Sequence, residues 1–467
     1  MSGQFHRLDA DEFERRMVAE CESGVPLGAY ASLEGLHYLF LGSYGAFSLE
    51  RSHLEGRAAR AFSARFPLLS WDEREMHDEW DVRFTDLPDS RPLRARDGEM
   101  PAALLATGSG LMHMVVGPVH AGIIEPGRFT FSSGGETVVH LDAQLSYSHR
   151  GVEQRLVGAG ALEAAPYVAR ICGGCSASRS LAYAQALEKL AGIELDRAVE
   201  FARLVVVELE RVYNHLADLA ASASGAGWGP GFARGMALKE RAMRACQLAT
   251  GHRLLFDAIV PGGIGPNTLL DRSPLRNELR ELGRAAEGYM QSLFGNASVV
   301  ARWKRAGSVS RQMAHAFGAV GPAERAAGGK VDVRAFAPYG AYRELGVDAA
   351  SAVNGDAFAR CAVKRDEIRE SLRLIDEVLS RLGDARLEAP EVVRATFGSA
   401  IGVVEGARGA ETVAVHVDER GRLTRLHVIS ASYRNWPIVA RAMDGNIVPD
   451  FPLVNKSFNL CYACADR

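Results

Sequence analysis

The chain has 467 residues, 47% of them hydrophobic and 24% charged, a balance that excludes a disordered chain and supplies apolar surface for more than one core. The 54 basic and 57 acidic residues leave a net charge of −3, so there is no basic footprint for a nucleic acid. No run of about 18 apolar residues offers a membrane span, and the opening MSGQFHRLDADEFERR lacks the apolar stretch of a signal peptide, which places the chain in the cytoplasm.

In chain order, residues 1–95 alternate helical and strand-like patterns, as a small α/β module would, and close on FPLLSWDEREMHDEWDVRFTDLPDSRPL. RARDGEMPAALLATGSG then reads as a loop, and residues 96–115 are taken as a linker. Short β-like runs follow to about residue 155; TVVHLDAQLSY alternates as a strand should after the turn signal SSGG. From there the pattern is helical. In DRAVEFARLVVVELERVYNHLADLAA, Phe201, Ala202, Val205, Leu209, Val212, Leu216 and Leu219 recur at spacings of three and four, with Asp196 as N-cap. Segments 235–256 and 275–294 and the run from Asp356 to its stop at Gly383 extend the same pattern, which implies a central bundle. ETVAVHVDERGRLTRLHVIS reads as a hairpin packed on that bundle. The expected fold is therefore α+β: a small N-terminal α/β module, then a large, mainly helical bundle domain over 116–467 with peripheral β-strands.

Seven cysteines stand at 21, 172, 175, 246, 361, 461 and 464, an odd number that argues against a disulfide framework. Cys172 and Cys175 precede an Ala-rich helix, whose dipole favours the thiolate, and Gly173 and Gly174 leave room for both sulfurs to turn toward one point. Cys461 and Cys464 form a second Cys-x-x-Cys pair, 286 residues beyond Cys175. Four thiolates suit zinc, an iron–sulfur cluster or a softer transition-metal centre, and spacing does not choose among them. Cys21, Cys246 and Cys361 are isolated and read as packed core. Read alone, Glu125 is a capping or exposed carboxylate and Arg408 a turn arginine. His120, His149 and His215 read as hydrogen-bonded structural residues.

Arg170–Cys175 and Cys461–Arg467 resemble the paired cysteine motifs of nickel–iron hydrogenase large subunits. The surrounding chain resembles the branch related to complex I and formate hydrogenlyase, through GPVHAGIIEPGRF (117–129), SYSHRGVE (146–153), ELERVYNHLADL (208–219), ATGHRLLFDAIVPGG (249–263), APYGAYREL (337–345) and SYRNWP (432–437). Residues 65–93 resemble the complex I 30-kDa subunit, so that 1–95 looks like a 30-kDa-type module fused to a 49-kDa-type domain over 116–467.

The resemblance implies a nickel–iron centre carrying cyanide and carbon monoxide, with Cys172 and Cys461 terminal on nickel and Cys175 and Cys464 bridging. It implies Glu125 as the proton-passing glutamate, Arg408 as the arginine over the open metal position, and a site near a quinone pocket for His120 and Tyr147 in the complex I relative. The implied activity is dihydrogen oxidation and proton reduction. Implied partners are an iron–sulfur small subunit, ferredoxin-like electron-transfer subunits that carry the iron–sulfur clusters, and integral membrane antiporter-like subunits holding the chain to the cytoplasmic side of the inner membrane. The alternative is a non-catalytic coupling or scaffold subunit without the metal centre. Four positions depart from the family pattern: Arg179 stands where a histidine is usual, Asn459-Leu460 replaces Asp-Pro, and Ala407 replaces the proline before Arg408.

Overall fold

The computed structural model describes residues 4–52, 55–95, 99–120, 124–269, 272–383, 387, 393–394 and 396–467. Residues 96–98 of the expected linker and 121–123 of the 117–129 segment lie outside the described residues.

The N-terminal module is a four-stranded sheet of β1 (Phe5–Arg7), β2 (Pro26–Ala31), β3 (Gly35–Gly42) and β4 (Gly45–Ser52), in the order β1-β4-β3-β2. Helix α1 (Ala10–Ser23) starts where Asp9 accepts the Glu12 N–H, and α2 (Ser70–Trp80) follows the sheet. Period-two alternation gives β3 two buried faces. Leu36, Tyr38 and Phe40 join Phe13 and Met17 of α1 in the module's own core. Leu39 and Leu41 face the other way, into a second core shared with Ile401, Ala414 and Ile429 from the C-terminal part of the chain.

Strands β5 (Leu111–Val116), β6 (Arg128–Gly134) and β7 (Thr137–Gln144) form an antiparallel sheet in that order, so β5 takes in residues 111–115 of the expected linker. Helix α3 (Ser176–Ala191) leads into α4 (Arg197–Gly225), which packs against α5 (Gly229–Thr250), α7 (Ala357–Leu382) and α9 (Phe451–Phe458); α6 (Arg272–Phe294) closes on α5 and α7. Asp196 caps α4 through the Ala198 N–H, as its position suggests. Helix α5 is displaced from the expected 235–256: Pro230 sits in its first turn, and Gly251, at φ 78°, ends it.

Helix α4 is buried nearly all round, charges included, because Glu208 and Arg211 lie 3.1 Å apart and Arg334 reaches Glu208 at 3.0 Å. The expected hairpin gains a third strand: β8 (Gly398–Gly406), β9 (Gly409–Val417) and β10 (Leu423–Ile429) pair in sequence order. Helix α3 lies so close to β8 that a Cβ on Gly402 would run into the carbonyl oxygen of Ala182. About 47% helix and 19% strand, in small sheets, bear out the α+β class.

Candidate metal centre

Two helix starts meet at one point inside the bundle. Cys175 is the N-cap residue of α3, and Cys461 occupies the same position on the short helix α10 (Tyr462–Asp466). Between α9 and α10 the chain turns through Asn459 at φ 51°, ψ 50°, with the Asn459 amide donating to Asp218 and the Cys461 N–H to Ser432 Oγ at 3.0 Å. This turn delivers the second sulfur pair to the first.

All four sulfurs, of Cys172, Cys175, Cys461 and Cys464, lie within 4.8 Å of one another; Cys461 is half-buried and the other three are buried. Cys464 and Cys175 are 3.7 Å apart. Among the described residues the four sulfurs are the grouped ligand atoms at this point. Gly174 lines the same space: a Cβ there would stand 3.7 and 3.8 Å from the sulfurs of Cys172 and Cys461 and fill the cradle between them. Hydrogen bonding among the thiols holds Cys172 well below the ordinary thiol range and pushes Cys175 and Cys461 well above it, so the group shares its protons.

Two guanidinium groups face these sulfurs. Arg179, fully buried on α3, donates from Nη2 to Cys464 Sγ at 3.2 Å and to Glu411 Oε2 at 2.8 Å. Its Nε and Nη1 have no hydrogen-bond partner among the described residues. Arg408, on the turn between β8 and β9, donates from Nε to the Asn459 carbonyl at 2.5 Å and from Nη1 to Asn214 Oδ1 at 2.9 Å, and lies 3.6 Å from Asp218. Burial opposes its charge, but Cys461 and Asp218 hold it well above the usual range. Soft donors under two fixed cations suit a thiolate-bound soft metal.

Five of the six residues singled out in the sequence thus come together: the four cysteines and Arg408. Glu125 is exposed and does not join them. Burial pushes Tyr462 up to about 12 and Asp466 up to about 6, and the charge of Glu125 adds to both, which puts it beside the segment that carries Cys461. The three histidines are hydrogen-bonded elsewhere: His120 to Tyr462 at 3.3 Å, His149 to the Asp466 carbonyl at 2.5 Å and His215 to Glu367 at 2.7 Å. Sequence reading missed Asn214 and Asp218, which both hold Arg408. Their i, i+4 spacing within ELERVYNHLADL was the available signal.

A second ligand-type cluster, Glu75, Glu153 and His427, is buried behind α10. Arg467 pairs with both of its carboxylates.

Fold and site together define a helical-bundle protein built around a buried four-thiol centre. The chain belongs to the complex I 49-kDa-like family: the family described as "Respiratory-chain NADH dehydrogenase, 49 Kd subunit" matches residues 227–397 and 388–467. It is similar to formate hydrogenlyase subunit 5 of Escherichia coli (strain K12), 27% identical across 86% of this chain and 76% of that protein. Membrane-bound hydrogenase subunit alpha of Pyrococcus furiosus is 28% identical across 75% of this chain and 86% of its own length. An NADH-quinone oxidoreductase subunit of Carboxydothermus hydrogenoformans is 28% identical, across 75% of this chain and 97% of its own length. A chain of the membrane-bound sulfane sulfur reductase, an archaeal respiratory membrane complex, shares the fold with a TM-score of 0.71 at 24% identity, covering 77% of this chain and 99% of that one. No helix among the described residues is long and apolar enough to cross a membrane.

Proposed function

We propose that this complex-I-like subunit is the metal-carrying large subunit of a membrane-associated nickel–iron hydrogenase, an enzyme interconverting dihydrogen with protons and electrons. The observation that carries the reading is the convergence of four sulfurs within 4.8 Å, from two pairs of cysteines far apart in the chain. The relatives include both hydrogenase subunits and subunits of NADH-quinone oxidoreductase, so kinship leaves the chemistry open, and the thiol set is what supports the hydrogenase reading.

In this reading Cys172, Cys175, Cys461 and Cys464 would hold nickel and iron. The bound pair, iron carrying cyanide and carbon monoxide, would supply the electron-accepting centre at which dihydrogen is split. The chain's own groups do the rest. Arg408 is oriented by Asn214 and the Asn459 carbonyl, and its fixed charge favours anionic groups beside Cys461. Arg179 donates to Cys464 Sγ in place of the usual histidine, and its Nε and Nη1, without partners among the described residues, would donate to an anionic ligand. Cys461, the half-buried residue of the four, accepts the proton on its sulfur, and the exposed Glu125 passes it to solvent. Residues 1–95 serve as a 30-kDa-type module. Electrons leave through an iron–sulfur small subunit and ferredoxin-like subunits, and antiporter-like membrane subunits hold the assembly on the cytoplasmic face.

The test is metal analysis and infrared spectroscopy on the purified complex. Nickel and iron near one each per chain, with bands of iron-bound cyanide and carbon monoxide, are expected. Their absence from the assembled complex would overturn the reading in favour of a scaffold subunit.

A further inference from the structure

The second sulfur pair is anchored from an unexpected side. Helix α10 carries Cys464, and the segment it belongs to runs on to Arg467, whose guanidinium is buried. That guanidinium pairs with Glu153 Oε1 at 2.9 Å, donates to the Val428 carbonyl at 2.8 Å, lies over the Tyr433 ring at 4.7 Å, and pairs with Glu75. Glu153, Val428 and Tyr433 belong to the body of the protein. Glu75 does not: it stands on α2 of the N-terminal module, more than 380 residues earlier in the chain. It is itself buried and held from behind by Arg94 at 3.2 Å.

The other fixings of the segment belong to the body. Asp466 accepts the N–H groups of Ser146 and Ser148 at 2.7 and 3.0 Å, and Ser430 Oγ donates to the Cys464 carbonyl at 3.1 Å. Asp72, on the same helix as Glu75, pairs with Arg434 at 3.3 Å and does not reach Arg467. Two buried acids one turn apart therefore divide the work: Asp72 docks α2 on helix α8 (Ala431–Ala442), and Glu75 grips the cysteine segment.

From this geometry we infer that Glu75 is a positioning residue for the metal centre, through which the N-terminal module holds Arg467 and hence Cys461 and Cys464 in reach of Cys172 and Cys175. The inference rests on the metal-binding reading above. A buried guanidinium that loses one of two carboxylates must shift toward the other or toward water, and the helix carrying Cys464 moves with it. Groups that hold a metal's ligands change affinity about 10–100-fold when lost, and Glu75, acting one link further out through Arg467, belongs at the lower end of that range.

The experiment titrates the reduced full-length chain with cobalt(II) alone, following the thiolate-to-cobalt charge-transfer absorption. Glu75→Gln should weaken binding at least about tenfold. Asp72→Asn, at the same interface, should leave it near the native value, Arg467→Gln should weaken it at least as much as Glu75→Gln does, and adding Glu75→Gln to Arg467→Gln should cause no further loss. If Glu75→Gln does not fold, Glu75→Asp, which keeps the charge but shortens the reach, takes its place with the same expected loss. Native affinity in the Glu75 variant would overturn the positioning role. Equal losses in Asp72→Asn would also overturn it, by making the effect one of general docking. A native chain that gives no cobalt–thiolate band would instead sink the metal reading, and this inference with it.

Discussion

Arg179 puts a permanent charge where a titratable imidazole is usual in the family, and that charge is fully buried between Cys464 and Glu411. An arginine cannot be deprotonated here, so it stabilises a thiolate at Cys464 at any working pH. Cys464→Ser should abolish hydrogen turnover and cobalt binding while leaving the far-ultraviolet circular dichroism unchanged, because an oxygen for a sulfur removes a soft ligand without opening a large cavity; retained turnover would refute the assignment. At this scale the four cysteines were legible, since paired spacing and soft-donor chemistry are both written in the sequence. Arg408 was legible only through family resemblance: what distinguishes it from any turn arginine is Asn214, Asp218 and the Asn459 carbonyl, which the fold brings to it. The pairing of Arg467 with Glu75 was not legible, because nothing local marks two charges that meet across the whole chain.

Among the elements, the Asn459 turn isolates a backbone effect. Its φ of 51° suits asparagine or glycine and costs alanine about 1–2 kcal/mol. Asn459→Ala should therefore be less stable in urea than Asn459→Gly by about 1 kcal/mol or more, although both lose the same bond to Asp218.

The contact between β2–β3 and β8–β10 predicts a pH response. His416 is held between Tyr30 Oη and Ser399 Oγ, each at 2.8 Å, its ring 5.2 Å from that of His37, and burial, aided by Arg425, lowers its pKa from 6.5 to about 3. Between those values the unfolded chain binds a proton that the folded chain refuses, so unfolding becomes easier as the medium is acidified. About 2 kcal/mol should be lost by pH 5. Calorimetry between pH 6.5 and 5 should show acidification costing the native chain about 2 kcal/mol more than it costs His416→Gln; an equal pH dependence in the variant would reject His416 as a source. The helices were readable because their periodicity is long. Strand β8, GSAIGVVEG, was not: buried along almost its whole length and rich in glycine, it shows no alternation to read.

For the molecule as a whole, two cores meet in a third. Leu39 and Leu41 of the N-terminal module share one apolar cluster with Ile401, Ala414 and Ile429, and buried ion pairs at Asp72 and Glu75 cross the same boundary. The module and the body should accordingly melt in one calorimetric transition; two separable transitions would show that the shared core does not couple them. The broad α+β plan was legible from pattern alone, whereas this joint was not, since each of its faces reads as an ordinary buried strand.

The distance along the chain between the two sulfur pairs also sets an order of events during synthesis. With Cys461 286 residues beyond Cys175, a ribosome adding about 5–20 residues per second needs roughly 15–60 s to make the second pair after the first. Throughout that interval the early thiols stand at the head of α3 with half their ligand set unmade. On the metal-binding reading, a metal delivered then would meet only two of the four sulfurs, so the complete site would exist only once the segment carrying Cys461 and Cys464 has docked.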